Sequence, residues 1–548
     1  MATTTVTPDN GDSVDTPAFE LQLLHFADVD GSGGVDDADN FSALVDGFRS
    51  RQPDNTLLVS SGDNLIPGPE FFAASDDGLA GVLGEPGNGR ANIAWLNEMG
   101  VAASALGNHD LDAGTEAFTE LLQSDGGWPG ARFPYLSANT DFSADANPEA
   151  DPSDIRVSDG QPAQASSVAG SATVQVNGET IGLVGASTPK LPSITGAGGL
   201  QFSPSPFDAA VSGDLDALAE AIQPTVDALV SDGVDKIVLL AHMQQISIEK
   251  ALATRLNNVD VIVAGGSNTI LADGTDTLRS GDTAADTYPL EFQAPNGDPV
   301  LLVNTAGDFR YLGRLVVGFD DAGVVLPETI DAAVSGAYAT DTINAAFNPI
   351  EAVADITMEL QAVLQAKDGN VLGVTDVYLD GRRSQVRTEE TNLGNLTADA
   401  NLWLAQQADG RTLISLKNGG GIRSAIGRAV QPAGSNDPDD LQFLPPAADA
   451  DIGKPAGGIS QLDLETALRF NNGLTLLTVH ARPSWPTSWS TRSRARARVR
   501  HPGSSRRSRG CASVSIRPCR PGRATIPIRA WAASAGCRTW PWWTTAGP

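Results

Sequence analysis

The chain reads as short apolar runs broken by polar clusters. Leu21–Phe26, Thr56–Ser60, Thr180–Val184, Lys236–Leu240, Val259–Val263 and Val300–Asn304 are nearly continuous in apolar residues. Runs this short, with little alternation, predict strands covered on both faces. Helical spacing fills the intervals between them, so the expected fold class is α/β from Leu21 to about Asp320. Residues 145–178 are rich in Pro, Ala, Ser and Asp and predict a surface excursion. Residues about 327–368 predict an Ala-rich helix, best spaced over Glu351–Leu364, as a rigid connector within 321–370. A second α/β segment is expected over 371–480. Residues 1–20 are polar and acidic, so disorder is expected there; they show no basic segment leading into an apolar one, and no signal peptide is readable.

Composition sharpens this picture. The 548 residues are several times a typical domain, which predicts at least two domains. The net charge is −31, which argues against a nucleic-acid backbone as partner. No apolar run is long enough for a membrane span. Nothing in the pattern sets an oligomeric state.

The charge is unevenly spread. From Ala481 to Pro548 there is no Asp, Glu or Lys, but there are 14 Arg, six Trp and all three Cys. The body before it therefore carries 22 basic against 67 acidic residues and no cysteine, which excludes a disulfide or thiolate metal site there. One reading of 481–548 is an arginine-rich arm for polyanions. The other is translation out of frame. Trp540–Thr545 must be encoded TGG-CCN-TGG-TGG-ACN-ACN. Read two bases later, those codons give Ala, then Leu, Met or Val, then Val, then Asp, then Asp, Asn, His or Tyr. That is a strand ending in an acidic turn, like the body, so the tail is read as frameshifted and the last domain as incomplete.

The candidate chemistry lies where predicted strands end. Asp28-Val-Asp30, Gly62-Asp63-Asn64, Gly107-Asn-His-Asp-Leu-Asp112, Ala241-His242 and Gly265-Gly-Ser-Asn268 supply carboxylates, amide oxygens and an imidazole. In layered α/β folds, sites form outside the carboxyl ends of strands. This mixture suits two divalent metals that clamp an in-line phosphoryl displacement, with Asp63 the natural bridging carboxylate. A rival reading takes Asp28–Asp39 as a calcium loop, with oxygens at its positions 1, 3, 5, 9 and 12 and Gly33 at position 6. His25, on the first strand, reads as a packed or hydrogen-bonded histidine. No nucleophile elbow or P-loop occurs.

In this order the five clusters resemble the calcineurin-like metallophosphoesterase family, and residues 21–480 resemble its two-domain 5′-nucleotidase branch. The resemblance implies a four-layer α/β/β/α catalytic domain over 21–320, a linker helix within 321–370 and an incomplete substrate domain over 371–480. It implies two divalent metals on Asp28, Asp30, Asp63, Asn108, His242 and Asn268, with His109 contacting the phosphoryl group and Asp112 orienting that histidine. Two departures stand out. Position 30 is Asp where the family has His, and Gly266 stands where it has a ligating His. The shift from nitrogen to oxygen donors favours Mn²⁺, Mg²⁺ or Ca²⁺ over Zn²⁺.

Arg383-Ser-Gln-Val-Arg387, Lys417-Asn-Gly-Gly-Gly-Ile-Arg423 and Leu468-Arg-Phe-Asn-Asn472 resemble the substrate domain of that branch. The resemblance assigns Arg383, Arg387 and Arg423 to phosphate or ribose, Phe470 to base stacking, and Asn418 and Asn472 to hydrogen bonds. Arginine forks suit phosphate and an aromatic face suits a purine. The expected function is hydrolysis of nucleoside monophosphates. The alternatives are a broad phosphatase or 2′,3′-cyclic nucleotide phosphodiesterase, and a calcium-binding or catalytically decayed protein. The family implies a periplasmic or extracellular location.

Overall fold

A computed structural model describes residues 17–29, 34–144, 152–342, 347–430 and 441–477. Of residues 1–20, expected to be disordered, 1–16 lie outside the described residues, as does the tail 481–548; Phe19 and Glu20 instead begin a strand, paired with Phe319 and Gly318. The chain divides into two compact units, 1–366 and 367–548.

The first unit is built on two sheets. The strands are β1 (Phe19–Phe26), β2 (Thr56–Ser60), β3 (Ala103–Ala105), β4 (Tyr135–Leu136), β5 (Gln161–Pro162), β6 (Val168–Ala169), β7 (Ser171–Val176), β8 (Glu179–Ser187), β9 (Lys236–His242), β10 (Val261–Gly265), β11 (Leu290–Gln293), β12 (Pro299–Val303), β13 (Tyr311–Phe319), β14 (Val325–Leu326) and β15 (Gly336–Ala339). One sheet runs β14-β13-β1-β2-β3-β4-β6, with β15 also paired to β13. The other runs β11-β12-β10-β9-β8-β7-β5. In each sheet the strands that carry the candidate residues are parallel: Leu23 lies opposite Leu57, Val59 opposite Ala103, and Leu240 opposite Val263. Parallel pairing sends their carboxyl ends to one edge.

The two faces of β1 explain its continuous apolar run. Leu21 and Leu23 join Leu57, Val59, Leu183 and Leu240 in the core between the sheets. Phe26, on the other face, meets Phe41 at a ring distance of 5.3 Å, from helix α1 (Gly34–Arg49). Helices α2 (Ser212–Ser231) and α3 (Ile246–Ala253) bury Leu218, Ile222, Ile248 and Leu252 against the second sheet. The result is the expected α/β/β/α layering.

Two further expectations are corrected. Within the predicted surface excursion, residues 161–176 hold β5, β6 and β7, and Val168, Ala169 and Ala172 are buried. The pattern hid this because small residues and short strands carry a weak signal, and pairing with β8 supplies the rest. The helix expected over 327–368 is confined to α4 (Glu351–Gly369); β15 extends the first sheet instead. Alanine content favours helix, but Gly336 and the pairing with β13 override that propensity.

In the second unit, β16 (Val371–Val374) pairs with β17 (Gly458–Ser460), and α5 (Arg383–Thr388), α6 (Asn392–Ala408) and α7 (Gln461–Ala467) pack on a small core of Leu379, Val386, Leu393, Ile422, Ile426 and Ala467. Ser460 and Asp463 form a capping box at the start of α7. Leu413, Ile414 and Leu416 form an apolar run that enters no strand and stays exposed.

Candidate functional site

The carboxyl ends of β1, β2, β3, β9 and β10 are stitched together by short polar contacts. The Asp28 and Val29 amides donate to the carbonyls of Gly62 and Asp63. Ser61 Oγ donates to the Ala264 carbonyl at 2.7 Å, and Ser187 Oγ to that of Leu106 at 2.6 Å, tying one sheet to the other. Asp28 (φ 58°), Asp63 (φ 59°), Gln244 (φ 67°) and Asn268 (φ 51°) all hold left-handed backbone, costly for side-chain-bearing residues. Strain of this kind clusters at functional sites.

Asp28, Asp63 and His242 are all buried, and one ligand atom from each lies within 4.8 Å of the others. Among the described residues this is the only such His/Cys/Asp/Glu group. The His242 Nδ1 lies 2.8 Å from the Ser61 carbonyl, which fixes the tautomer and turns Nε2 inward. That Nε2 stands 2.9 Å from Asp63 Oδ2, which has no hydrogen-bond donor. Two acceptors so close require a proton or a cation between them. Burial pushes the His242 imidazole down, but the Asp63 carboxylate outweighs it and raises it to about 10. Burial pushes the Asp63 carboxyl up, and His242 and His109 together hold it below the ordinary value. This donor set fits a divalent cation.

The remaining expected residues fall as follows. Asn108 is buried at the same edge. Asp30 lies outside the described residues. Asn268 sits beside the group, and its Oδ1 accepts from the Gly307 amide at 2.9 Å, leaving that oxygen one more lone pair. His109 Nδ1 is 2.5 Å from Asp112 Oδ2, and the other Asp112 oxygen accepts from Thr195 at 2.7 Å. The His109 amide donates to Asp63 Oδ1 at 2.7 Å, so one carboxylate touches both the histidine pair and the buried group. Asp28, first oxygen of the rival calcium loop, groups with residues from two other strands rather than with Asp36 or Asp39.

Sequence reasoning missed Asp110, Thr195 and Gln244. The Asp110 carboxylate accepts from the amides of Asp63 (3.0 Å), Asn64 (2.9 Å), Leu65 (3.2 Å) and Gly107 (2.8 Å), fixing both loops. Burial and the Asp63 charge raise it to about 7, with the amides opposing. Its place inside the Gly107–Asp112 motif was the available signal. Gly107 admits no side chain, because a Cβ there would overlap the Asp63 carboxylate.

In the second unit the Gly419–Gly421 turn packs against α5, and a Cβ on Gly419 would strike the Val386 carbonyl. Asn418 caps that turn through Gly420 at 3.0 Å. The Arg423 guanidinium lies 5.1 Å from the Phe470 ring centre. Among the described residues, neither Arg383 nor Arg387 pairs with a carboxylate. Burial and Arg383 lower the pKa of the Arg387 guanidinium. Asn472 is exposed near Gly421.

Residues 371–480 match the family described as 5′-nucleotidase, C-terminal domain. The 5′-nucleotidase of Mus musculus is 31% identical over 432 residues, 75% of this chain and 65% of its own length. The chain is related to the 5′-nucleotidases. The trifunctional nucleotide phosphoesterase protein YfkN of Bacillus subtilis is 26% identical over 425 residues, 74% of this chain and 25% of its own length. The crystal structure of the 5′-nucleotidase precursor from Thermus thermophilus superposes with a TM-score of 0.58 at 26% identity, covering 84% of this chain and 76% of that one. The chain thus spans less than two thirds of the length of these two curated relatives. Among the described residues no helix is long and apolar enough to cross a membrane.

Proposed function

We propose that this chain is a divalent-metal-dependent phosphohydrolase that releases phosphate from nucleoside 5′-monophosphates. The observation that carries the reading is the buried Asp28–Asp63–His242 group, joined through Asp63 to the His109–Asp112 pair. Asp28, Asp30, Asp63, Asn108, His242 and Asn268 would hold two ions, with Mn²⁺, Mg²⁺ or Ca²⁺ favoured over Zn²⁺ by the oxygen-rich set. When bound, such ions supply Lewis acidity to the phosphoryl group and its attacking water.

The chain's own residues do the rest. The Ser61 carbonyl keeps His242 in the tautomer that points Nε2 inward. Asp112, anchored by Thr195, holds a proton on His109 Nδ1 and stabilises the ring's cationic form. His109 Nε2 then stabilises charge on the phosphoryl oxygens or protonates the leaving 5′ oxygen. In the second unit, Arg383, Arg387 and Arg423 are assigned to phosphate or ribose oxygens, Phe470 to the base, and Asn418 and Asn472 to polar edges. The relatives' descriptions as 5′-nucleotidases, some from snake venoms, support this substrate class and a periplasmic or extracellular setting.

Phosphate release from AMP and from an aryl phosphate, and ring opening of 2′,3′-cyclic AMP to the adenosine monophosphate, each with Mn²⁺, Mg²⁺ or Ca²⁺, test the reading. Preference for AMP supports it. Equal rates on AMP and the aryl phosphate favour a broad phosphatase, and preference for the cyclic ester a phosphodiesterase. No phosphate release and no ring opening with any ion contradicts all three.

A further inference from the structure

Gln244 lies two residues beyond His242 and was absorbed by none of the roles above. Its side-chain Nε2 donates to Asn108 Oδ1 and stands 3.0 Å from His242 Nε2. Both of those atoms belong to the proposed ion-holding set. The carboxamide therefore reaches the point on which those two ligand atoms converge. It also fills a particular space. A Cβ built on Gly266 would lie 2.6 Å from Gln244 Nε2 and 2.8 Å from His242 Nε2. Position 266 is where the resemblance expects a ligating imidazole, and here it is glycine at φ 79°.

We infer that Gln244 is a metal ligand that replaces the side chain missing at 266. This deepens the proposed function and rests on it. The carboxamide faces Asn108 Oδ1 and His242 Nε2, and which of its two ends points there depends on whether a proton or an ion occupies the space between His242 and Asp63. Half a turn of the carboxamide presents Oε1 instead, a further donor for a cation held by Asp63, Asn108 and His242, to which Gly266 offers no side chain. The O and N ends of a glutamine are chosen by their neighbours, so the same side chain serves both states. The backbone supports a functional rather than a packing role. Gln244 is held at φ 67°, a conformation in which glycine would be relaxed.

The test is a calorimetric Mn²⁺ titration of the metal-stripped chain, Gln244→Gly, Gly266→His and the double variant, with thermal melts of the metal-free proteins. The inference predicts two equivalents for the original chain. Gln244→Gly should weaken one of them by roughly 10- to 100-fold, as loss of a group supporting a metal does. Its metal-free melting temperature should hold or rise, because glycine relieves the backbone. Gly266→His alone, crowded by the carboxamide, should bind more weakly than the double variant. The double variant should recover the weakened equivalent and show a higher Zn²⁺-to-Mn²⁺ affinity ratio, as an imidazole replaces an oxygen. Two unchanged equivalents in Gln244→Gly would overturn the role of Gln244 and leave the proposed function standing. Tighter binding in that variant would instead make Gln244 an occluding group. A parent chain that binds no Mn²⁺ would overturn both readings.

Discussion

Replacing Asp110 with alanine removes the clamp that holds the two loops of the candidate site. Four amides lose their acceptor at once: Asp63, Asn64, Leu65 and Gly107. An unsatisfied buried donor costs about 1–3 kcal/mol, so the gross cost is about 4 kcal/mol at the lower bound. Removing a buried carboxylate beside Asp63 returns part of that, because burial and the Asp63 charge already raise its pKa to about 7. A net local loss of about 3 kcal/mol remains, close to two decades in an opening equilibrium. Hydrogen exchange read by mass spectrometry over peptides spanning 60–66 and 105–110 should therefore accelerate by roughly 100-fold. Peptides from β9 and β10 should change far less. Mn²⁺ affinity should fall as well, since the Asp63 carboxylate loses its fixed direction. If exchange in both segments stays within about twofold of the original chain, Asp110 is not the clamp, and the account of how the site is positioned fails.

Three further outcomes are expected. His109→Ala should lower kcat by roughly 10²–10⁴ with metal content unchanged, and Thr195→Val should lower kcat less while leaving KM alone; turnover unaffected by His109→Ala removes that residue from the chemistry. Gly107→Ala should drive its Cβ into the Asp63 carboxylate and abolish high-affinity Mn²⁺ binding in a protein that still folds, which calorimetry and circular dichroism together would read. His25 is buried against the Tyr288 hydroxyl at 2.9 Å, and burial lowers it to about 3. Its folded pKa lies below its unfolded one, so the stability it contributes is present above about pH 6.5 and is lost as pH falls toward 3. His25→Phe should thus flatten the decline in melting temperature between pH 6.5 and 4, and an unchanged difference between the two curves across that range would refute the assignment.

The strands and the buried group were legible because each rests on a local signal. The run Leu21–Phe26 announces a two-faced strand, and Asp28, Asp63 and His242 follow strand ends directly. His109 and Asp112 are three residues apart, within one turn. What stayed hidden depends on contacts distant in sequence. Thr195 meets Asp112 across 83 residues, and Gln244 meets Asn108 across 136, with nothing in the intervening pattern to pair them. Strands β5 to β7 were obscured by small residues whose burial comes from their neighbours. Strand β15 was obscured by alanine, which says helix until a neighbouring strand offers its edge.

The most direct test of the central claim is a paired measurement on Asp63→Asn. This single carboxylate touches His242 through Oδ2 and the His109 amide through Oδ1. Bound Mn²⁺ and phosphate release from AMP should be measured on the same preparation. The account predicts that both are lost together in a folded protein. A variant that retains its full metal content and the original rate would contradict it.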